Sequence, residues 1–329
     1  MTTTTAARGR GVRHLALKTE TTFGVKPTGN FTALPFYTST IEERTSLEDD
    51  PVLGAAQANQ RDATAFTESL PTTAGELTVP VGVESFGHYL TYLLGAPVTG
   101  AAETVSGADD HFTHVWQSGA DILPTAHVEI ARRTGAFSVF QGIVFNTLAL
   151  TLDKDSGTLR ATLGVLGKRE VPSAGTSVAG TVARLAGDAL ISRKRSAFKL
   201  NDGAAQKILT CGLNYNNAIE APPFLTGDEY PAEFMAGAST TQGTLRGRYY
   251  DETWQTIGRQ RAAQKLTQRW EASSEIWLQV EIAAAEIESR GAPVNGAGFE
   301  DLDFAFMARQ TDAVGAVKVS LRNTVASYA

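Results

Sequence analysis

The sequence predicts a mainly β protein: a tandem duplicated β-sandwich or partial barrel, each copy with one flanking α-helix and long loops. Three observations lead there. Glycine is abundant, 31 residues, among many Thr, Val and Ala, a composition suited to strands joined by tight turns. Candidate hairpins alternate apolar and polar side chains, as a sheet with one covered face requires. Landmarks of the first half also return in the same order in the second. The chain has 329 residues and 42% hydrophobic content, enough for one large domain or two ordinary ones.

Residues 1–10 read as a flexible tail that begins a basic patch at Arg8, Arg10 and Arg13. They lack an apolar h-region, so no secretory leader is expected. "RHLALK" is the first strand. "ETTFGVKPTGNF", residues 20–31, is too polar for a core strand. Gly24, Pro27 and Gly29 break it too often for a helix, so it is expected to be an extended arm. "ALPFYTSTIEE" is the next strand, and 42–62 is a long acidic loop. "GELTVPVGVESFGHYLTYLLG" reads as a strand and an amphipathic helix. Phe86, Tyr89, Leu90, Leu93 and Leu94 form its apolar stripe, Gly95 closes it and Pro97 prevents continuation. "HVEIARR" is a strand, followed by a hairpin pairing 147–152 with 159–165.

The second half offers "SAFKLN", "ILTCGLNYNNAIE", "GTLRGRYYDETWQTIGRQ" and "QVEIAAA", then a hairpin of 302–306 with 317–321. Leu77 matches Leu245, Phe86 matches Trp254 and Tyr89 matches Ile257 at one constant offset. The four letters VEIA at 128–131 recur at 280–283. Each VEIA segment is expected to be a strand, with Val128 and Ile130 on one face and Glu129 on the other, and likewise Val280 and Ile282 against Glu281. The second helix is expected over 251–267, with Asp251 as N-cap. Trp254, Ile257, Ala262 and Leu266 lie on its buried side, and Trp254 anchors it as Phe86 anchors the first. The expected domains are 11–170 and 190–329, joined by a small, polar connector at 171–189.

Catalytic constellations are missing. His111 and His114 stand beside Asp109 and Asp110 in a Gly-rich stretch, but no third His or Cys follows at metal-ligand spacing, so a polar loop tip is expected. Cys211 sits in an apolar strand pattern and reads as core. A lone cysteine suits assembly in a reducing cytoplasm. The carboxylates of "EERTSLEDD" have no histidine nearby to work as an acid–base pair, and "SRKRS" reads as a solvated linker. There is no P-loop, nucleophile elbow or dinucleotide fingerprint. No enzyme activity, cofactor or metal is expected. The net charge of −6 disfavours generic nucleic-acid adhesion. No apolar run approaches the roughly 20 residues that cross a bilayer.

The opening resembles that of siphophage major tail tube proteins. The shared features are the basic Gly/Arg tail, the strand "HLALK", an E-x-x-aromatic-G-x-x-P segment at Glu20, Phe23, Gly24 and Pro27, and a strand ending in acidic residues before a long acidic loop. The resemblance is clearest over residues 8–95, and the second half lacks the arm motif. It implies a β-sandwich or partial barrel flanked by a helix, shared with the type VI secretion tube protein. It also implies self-assembly into rings, usually of six folds, stacked as a non-contractile tail tube through which DNA passes without specific binding. Two folds per chain then imply a trimeric, pseudo-sixfold ring. Other tail proteins (tape measure, terminator, distal tail) are the implied partners, and the virion, assembled in the host cytoplasm, is the implied location.

On this reading the arm lies against a neighbouring subunit and not on its own core. Glu42, Glu43, Glu48, Asp49 and Asp50 of the loop would meet Arg259, Arg261, Lys265 and Arg269, expected on or beside the second helix of a neighbour. A non-viral β-sandwich binding or adhesin module is the alternative, and a hydrolase on a β scaffold is a third reading.

Overall fold

The computed structural model describes residues 14–49, 65–104, 110–133, 136–153, 157–172, 175–185, 188–293, 301–312 and 314–328. The first half runs β1 (His14–Thr19), β2 (Thr32–Leu34), β3 (Thr38–Ser39), β4 (Glu42–Arg44), the small pair β5 (Leu47–Asp49) and β6 (Phe66–Glu68), β7 (Thr72–Pro80) and α1 (Ser85–Leu94). It continues with β8 (Val98–Thr99), β9 (Glu103–Thr104), β10 (Asp110–Gln117), β11 (Ala126–Arg133), β12 (Ala136–Asp153), β13 (Arg160–Gly167) and β14 (Arg169–Pro172). β15 (Ala183–Arg184) follows in the connector. The second half runs β16 (Ser196–Leu200), β17 (Ile208–Asn216), the small pair β18 (Ile219–Glu220) and β19 (Met235–Ala236), β20 (Thr240–Arg248) and α2 (Thr253–Gln260). It ends with β21 (Gln264–Glu271), β22 (Trp277–Ile287), β23 (Asp301–Arg309) and β24 (Val317–Asn323). The fold is mainly β, as the composition predicts.

The two halves share one order of strand pairing. In the first, β1 pairs with β11 and β11 with β12. The start of β12 also pairs with β14, and its later part with β13. β13 then pairs with β7, and β7 with β3 and β4. In the second, β16 pairs with β21 and β21 with β22. The start of β22 pairs with β24 and its end with β23. β23 pairs with β20, and β20 with β17. All of these pairs are antiparallel, and each half packs its helix beside the long bent strand. Gly142 lets β12 bend: it has φ +63, and a Cβ there would sit 2.7 Å from the Phe23 ring. A left-handed position with no room for a side chain requires glycine.

α1 spans the residues its stripe predicts. Tyr92 stacks on Phe145 at 5.5 Å, and Phe86, Leu90 and Leu93 are buried. Trp116, Trp270, Tyr215 and Phe306 are among the large buried side chains of a core that runs through both halves.

Several expectations are corrected. α2 stops at Gln260, because Arg261 turns into the left-handed region at φ +50. The following "QKLTQRWE" is strand β21, where period-two burial and β-favouring Thr and Trp prevail over helical spacing. Lys265 and Arg269 are therefore strand residues. Trp254 is only half-buried, lying against Phe304 at 6.4 Å, whereas Phe86 is fully buried. Both VEIA segments are strands, but they are not equivalent, since by pairing β11 corresponds to β21 and β22 to β12. Glu129 and Glu281 do face away from their apolar neighbours, yet both are buried. β23 and β24 do not form a hairpin, because each pairs with β22 along a different stretch. His111 and His114 lie in strand β10, not at a loop tip.

β10 has no counterpart in the second half. It pairs with β24, while the end of β12 pairs with β17. Two ladders thus join the halves. The outer one is buckled by the C-terminal segment. His114 bonds Thr99 and the Val325 carbonyl, and its ring lies 4.7 Å from Tyr328, which also packs on Trp116.

Gly75 and Gly243 occupy matching positions of β7 and β20. A Cβ at Gly75 would fall 2.5 Å from the Ile41 backbone, and one at Gly243 would run into the Gly212 carbonyl and the Phe306 ring. Gly243→Ala is therefore expected to destabilise the protein by roughly 1–3 kcal/mol through overpacking. A urea unfolding midpoint equal to that of the parent would contradict this.

Candidate assembly interface

The arm is fastened to its own chain. Glu20 follows β1 directly, and burial alone would raise its carboxyl pKa. Four hydrogen bonds outweigh that cost. His127 Nδ1 at 3.2 Å and the Gly142 N–H at 2.9 Å donate to Oε1. The Gly24 N–H and Thr125 Oγ1, each at 2.9 Å, donate to Oε2. Together they hold the carboxyl below its ordinary range. Gly24 presents its amide from φ +69. Phe23 is half-buried, edge-on to Phe234 at 5.6 Å, with the Lys168 ammonium 5.4 Å from its ring centre. Pro27 and Phe31 are buried. The expectation that the arm avoids its own core is thus corrected at Glu20, Pro27 and Phe31.

What covers the arm is the connector. The Phe31 N–H donates to the Ala179 carbonyl, the Ala183 N–H donates to Phe31, and β15 pairs in parallel with β2. Glu129 clamps the connector from below. It accepts from Ser177 Oγ at 2.8 Å and from the Val178 and Ala179 amides at 2.5 and 3.2 Å, with His14 Nε2 at 3.1 Å. Sequence reading missed this carboxylate as a clamp. Its signal was a Glu set between β-branched residues in a buried strand.

The acidic candidates separate into three groups. Glu43 is engaged at home, accepting from the Glu170 N–H at 2.6 Å and from Thr73. Glu42 is half-buried beside its ion-pair partner Arg44. Glu48 and Asp49 are exposed on β5, and Asp50 lies outside the described residues. Among the bases, Lys265 bonds Asp202 at 3.0 Å and Glu281 at 3.2 Å, contacts that raise its pKa. Arg269 pairs with Glu271 and stacks on Trp277 at 4.3 Å. Arg259 and Arg261 remain exposed at the end of α2.

Two of the strand edges lie at opposite ends of the spliced sheet. Among the described residues, β4 has a ladder only with β7, and the chain beyond Ala285 pairs only with β23. An unpaired edge is a template for another strand. The sheet between these edges turns one face away from the core. Thr72, Ala74 and Glu76 of β7 and Thr240, Gln242 and Thr244 of β20 lie exposed on it. Each small strand pair carries exposed apolar side chains, Leu47 and Phe66 on the first and Met235 on the second, with Phe224 and Leu225 in the intervening loop.

A family model for phage tail tube proteins matches residues 12–308. The chain belongs to the phage tail tube protein family. No curated protein matches it. Membership makes it a structural component of a phage tail, and tube proteins work by self-association. Open strand edges are what self-association of sheets needs. Cys211 fits a structural role, since burial pushes its thiol up to about 12 and keeps it protonated.

The Glu20 anchor gives a pH test. A carboxyl held below its ordinary value of 4.5 contributes stability that is complete above that value. The contribution is lost as pH falls through the folded-state pKa. Glu20→Gln should cost roughly 1–3 kcal/mol at neutral pH, because amide donors are left facing an amide. The gap to the parent should narrow on acidification. Guanidinium titrations at two pH values check both statements.

Proposed function

We propose that three copies close into a ring, that rings stack into a non-contractile tail tube, and that the bore conducts DNA into the host. The chain would supply two tube folds, 11–170 and 190–329. The supporting observation is the ladder between β12 and β17, which already splices the two halves into one sheet. Its counterpart at the other end is vacant. β3 and β4 hold the place of β17: Ser39 faces Leu77 as Cys211 faces Leu245, and Glu42 faces Ala74 as Asn214 faces Gln242. The end of β22 holds the place of β12 beside its neighbour strand.

Transferring the internal register gives the joint between chains. Thr147 faces Asn216 and Ala149 faces Asn214. The corresponding pairs are Glu288 with Arg44 and Arg290 with Glu42, so opposite charges meet at both positions. Such cross-strand pairs contribute about 0.2–1 kcal/mol each and oppose slipped registers. With four strands from each half, three chains make a barrel of about 24 strands. At a spacing of ~4.8 Å and a tilt of ~40°, it has a backbone diameter of roughly 45–50 Å. Side chains take about 10 Å of this and leave room for a duplex.

The exposed sheet face is suited to passage. It is rich in Thr, Ala and Asn, and among the described residues Arg44 is paired with Glu42, Arg246 with Asp301 at 3.3 Å and Arg309 with Glu286 at 3.0 Å, while Arg160 lies over the Tyr37 ring at 4.4 Å. Free cations would bind phosphates and release counterions, whereas paired ones let DNA slide. The small strand pairs, with Glu48, Asp49 and their exposed apolar residues, would contact the next ring, where Arg261 and Arg259, the latter 4.0 Å from its own Glu252, are the exposed bases. Tape measure, terminator and distal tail proteins would meet the tube's ends, and assembly would occur in the host cytoplasm.

Electron microscopy of purified protein tests the reading. Three chains per ring are expected; a compact monomer, or a ring of six chains, would overturn it. Arg290→Glu should weaken ring formation in sedimentation at moderate salt, and the double change Glu42→Arg with Arg290→Glu should restore it. Failure of the double variant to recover would place the joint elsewhere.

A further inference from the structure

We propose that residues 2–12 of one chain dock as an added strand into the cleft beside the N-terminus of α2 in a second copy. The proposal rests on the ring reading and names a contact beyond the sheet joint. Its basis is a segment that performs this task inside the chain. After a last direct bond from the Val81 N–H to the Leu159 carbonyl, the chains beyond β7 and β13 separate, and residues 188–193 run between them. The Val83 N–H donates to the Ala189 carbonyl, the Ile191 N–H to Val81, and the Leu159 N–H to Ile191. Gly82 faces Leu190, and Ile191 is fully buried. Asp188 Oδ1 accepts from the Glu84 and Ser85 amides at the first turn of α1. This segment leads directly into β16, the first strand of the next half.

In the second half no described segment fills the same place. β20 ends at Arg248 opposite Asp301, as β7 ends at Pro80. Next to it lies a cavity of about 330 Å³ lined by Tyr249, Tyr250, Trp254, Gln255, Phe304 and Lys207. Tyr249, Tyr250 and Trp254 hold the places of Val81, Gly82 and Phe86. Among the described residues, the backbone of 249–251 makes none of the bonds that 81–83 make to the inserted segment. Gln255 is only 3% exposed, yet its Oε1 has no partner. Tyr250, where the first half has Gly82, is 64% exposed. The counterpart of 157–159 falls in 294–300, outside the described residues.

The occupant follows from chain order. The first cleft is filled by the segment preceding the next fold's first strand. In a ring, the fold after the second half is the first half of another chain, and the segment preceding its β1 is the N-terminal stretch. Residues 1–13 lie outside the described residues, and they provide more chain than the segment 188–195 that precedes β16. Matching Leu15 and Leu17 of β1 to Phe198 and Leu200 of β16 puts Thr5 at the place of Asp188, Ala7 at Leu190 and Arg8 at Ile191. A Thr hydroxyl is a competent acceptor for the Glu252 amide at the helix N-terminus, while Asp251 Oδ1 already accepts from the Thr253 N–H at 2.9 Å. Small Ala6 and Ala7 suit a site where Tyr250 replaces Gly82. The stem of Arg8 can lie on Trp254 and Tyr249 while its guanidinium reaches Asp251 and Glu252.

Paired cysteines test this in a Cys211→Ser background. One variant carries Ala7→Cys with Tyr250→Cys, and another marks the sheet joint with Arg44→Cys and Glu288→Cys. Assembled protein is oxidised and run on a denaturing gel. The proposal expects Ala7–Tyr250 bands at dimer and trimer, absent from either single variant. Cross-links at the sheet joint with only monomer from the Ala7–Tyr250 pair would overturn the docking and leave the ring intact. An internally cross-linked monomer would assign the cleft to the chain's own N-terminus and also overturn it. Absence of rings and of both cross-links would remove the ring reading, and the docking with it. Deleting residues 2–12 should raise the concentration needed for assembly at least tenfold without changing the subunit's near-ultraviolet circular dichroism. An unchanged threshold would equally overturn the proposal.

Discussion

The ladder between residues 147–153 and 210–216 is the constraint on which the rest depends. It makes the end of β12 a shared strand, bonded to β13 of its own half and β17 of the other. β12 can serve both because it bends at Gly142, leaving one layer and entering the next. Backbone hydrogen bonds must be satisfied wherever a strand is buried, so the splice fixes the distance and tilt between the halves. The outer ladder from β10 to β24 adds a second line of bonds at the same junction and resists hinging. Among the described residues the spliced sheet leaves β4 and the chain beyond Ala285 with one ladder each, and such edges are templates for further strands.

Two buried carboxylates set the shape around that arc. Glu20 and Glu129 flank the β1–β11 ladder, one gathering the arm and the other the connector. A buried carboxylate is costly unless its lone pairs are filled. Each of these is filled by two backbone amides, donors that cannot move away without unfolding a segment, and by two side chains. The arm and connector then cover one another, with Phe31 between. Residues too polar to build a core are thereby held in place by polar chemistry. The exposed remainder of the arm, including Val25 and Lys26, is left at the surface of an otherwise closed unit.

The two halves also show how one topology tolerates different fillings. The first half buries Phe86 and closes its cleft with a segment of the same chain. The second enlarges the side chains around the equivalent cleft, which no described segment fills. The inner sheet differs less, because its alternation of small, polar outward residues with apolar inward ones serves the same purpose in both. Matched glycines at Gly75 and Gly243 persist because each lies where another backbone approaches too closely for a side chain.

Much of this was legible in the sequence. The β class, the apolar stripe of α1, the second helix's start near Asp251 and the family resemblance all rest on local period, capping and punctuation. Those signals are carried by neighbouring residues and survive without a structure. Partnership was not legible. The VEIA match equated two strands that occupy different places, because four letters encode alternation and burial but not which strand lies alongside. Lys265 and Arg269 were given to a helix because charged residues at suitable spacing fit either period. Glu20, read as an arm residue reaching outward, turned inward because its donors come from Gly24, Thr125, His127 and Gly142, three of them more than a hundred positions away. The sequence by itself determined which segments extend, coil and turn. Only the tertiary structure decided which edges are paired and which remain open, because hydrogen-bond partners in a sheet are chosen by the whole fold.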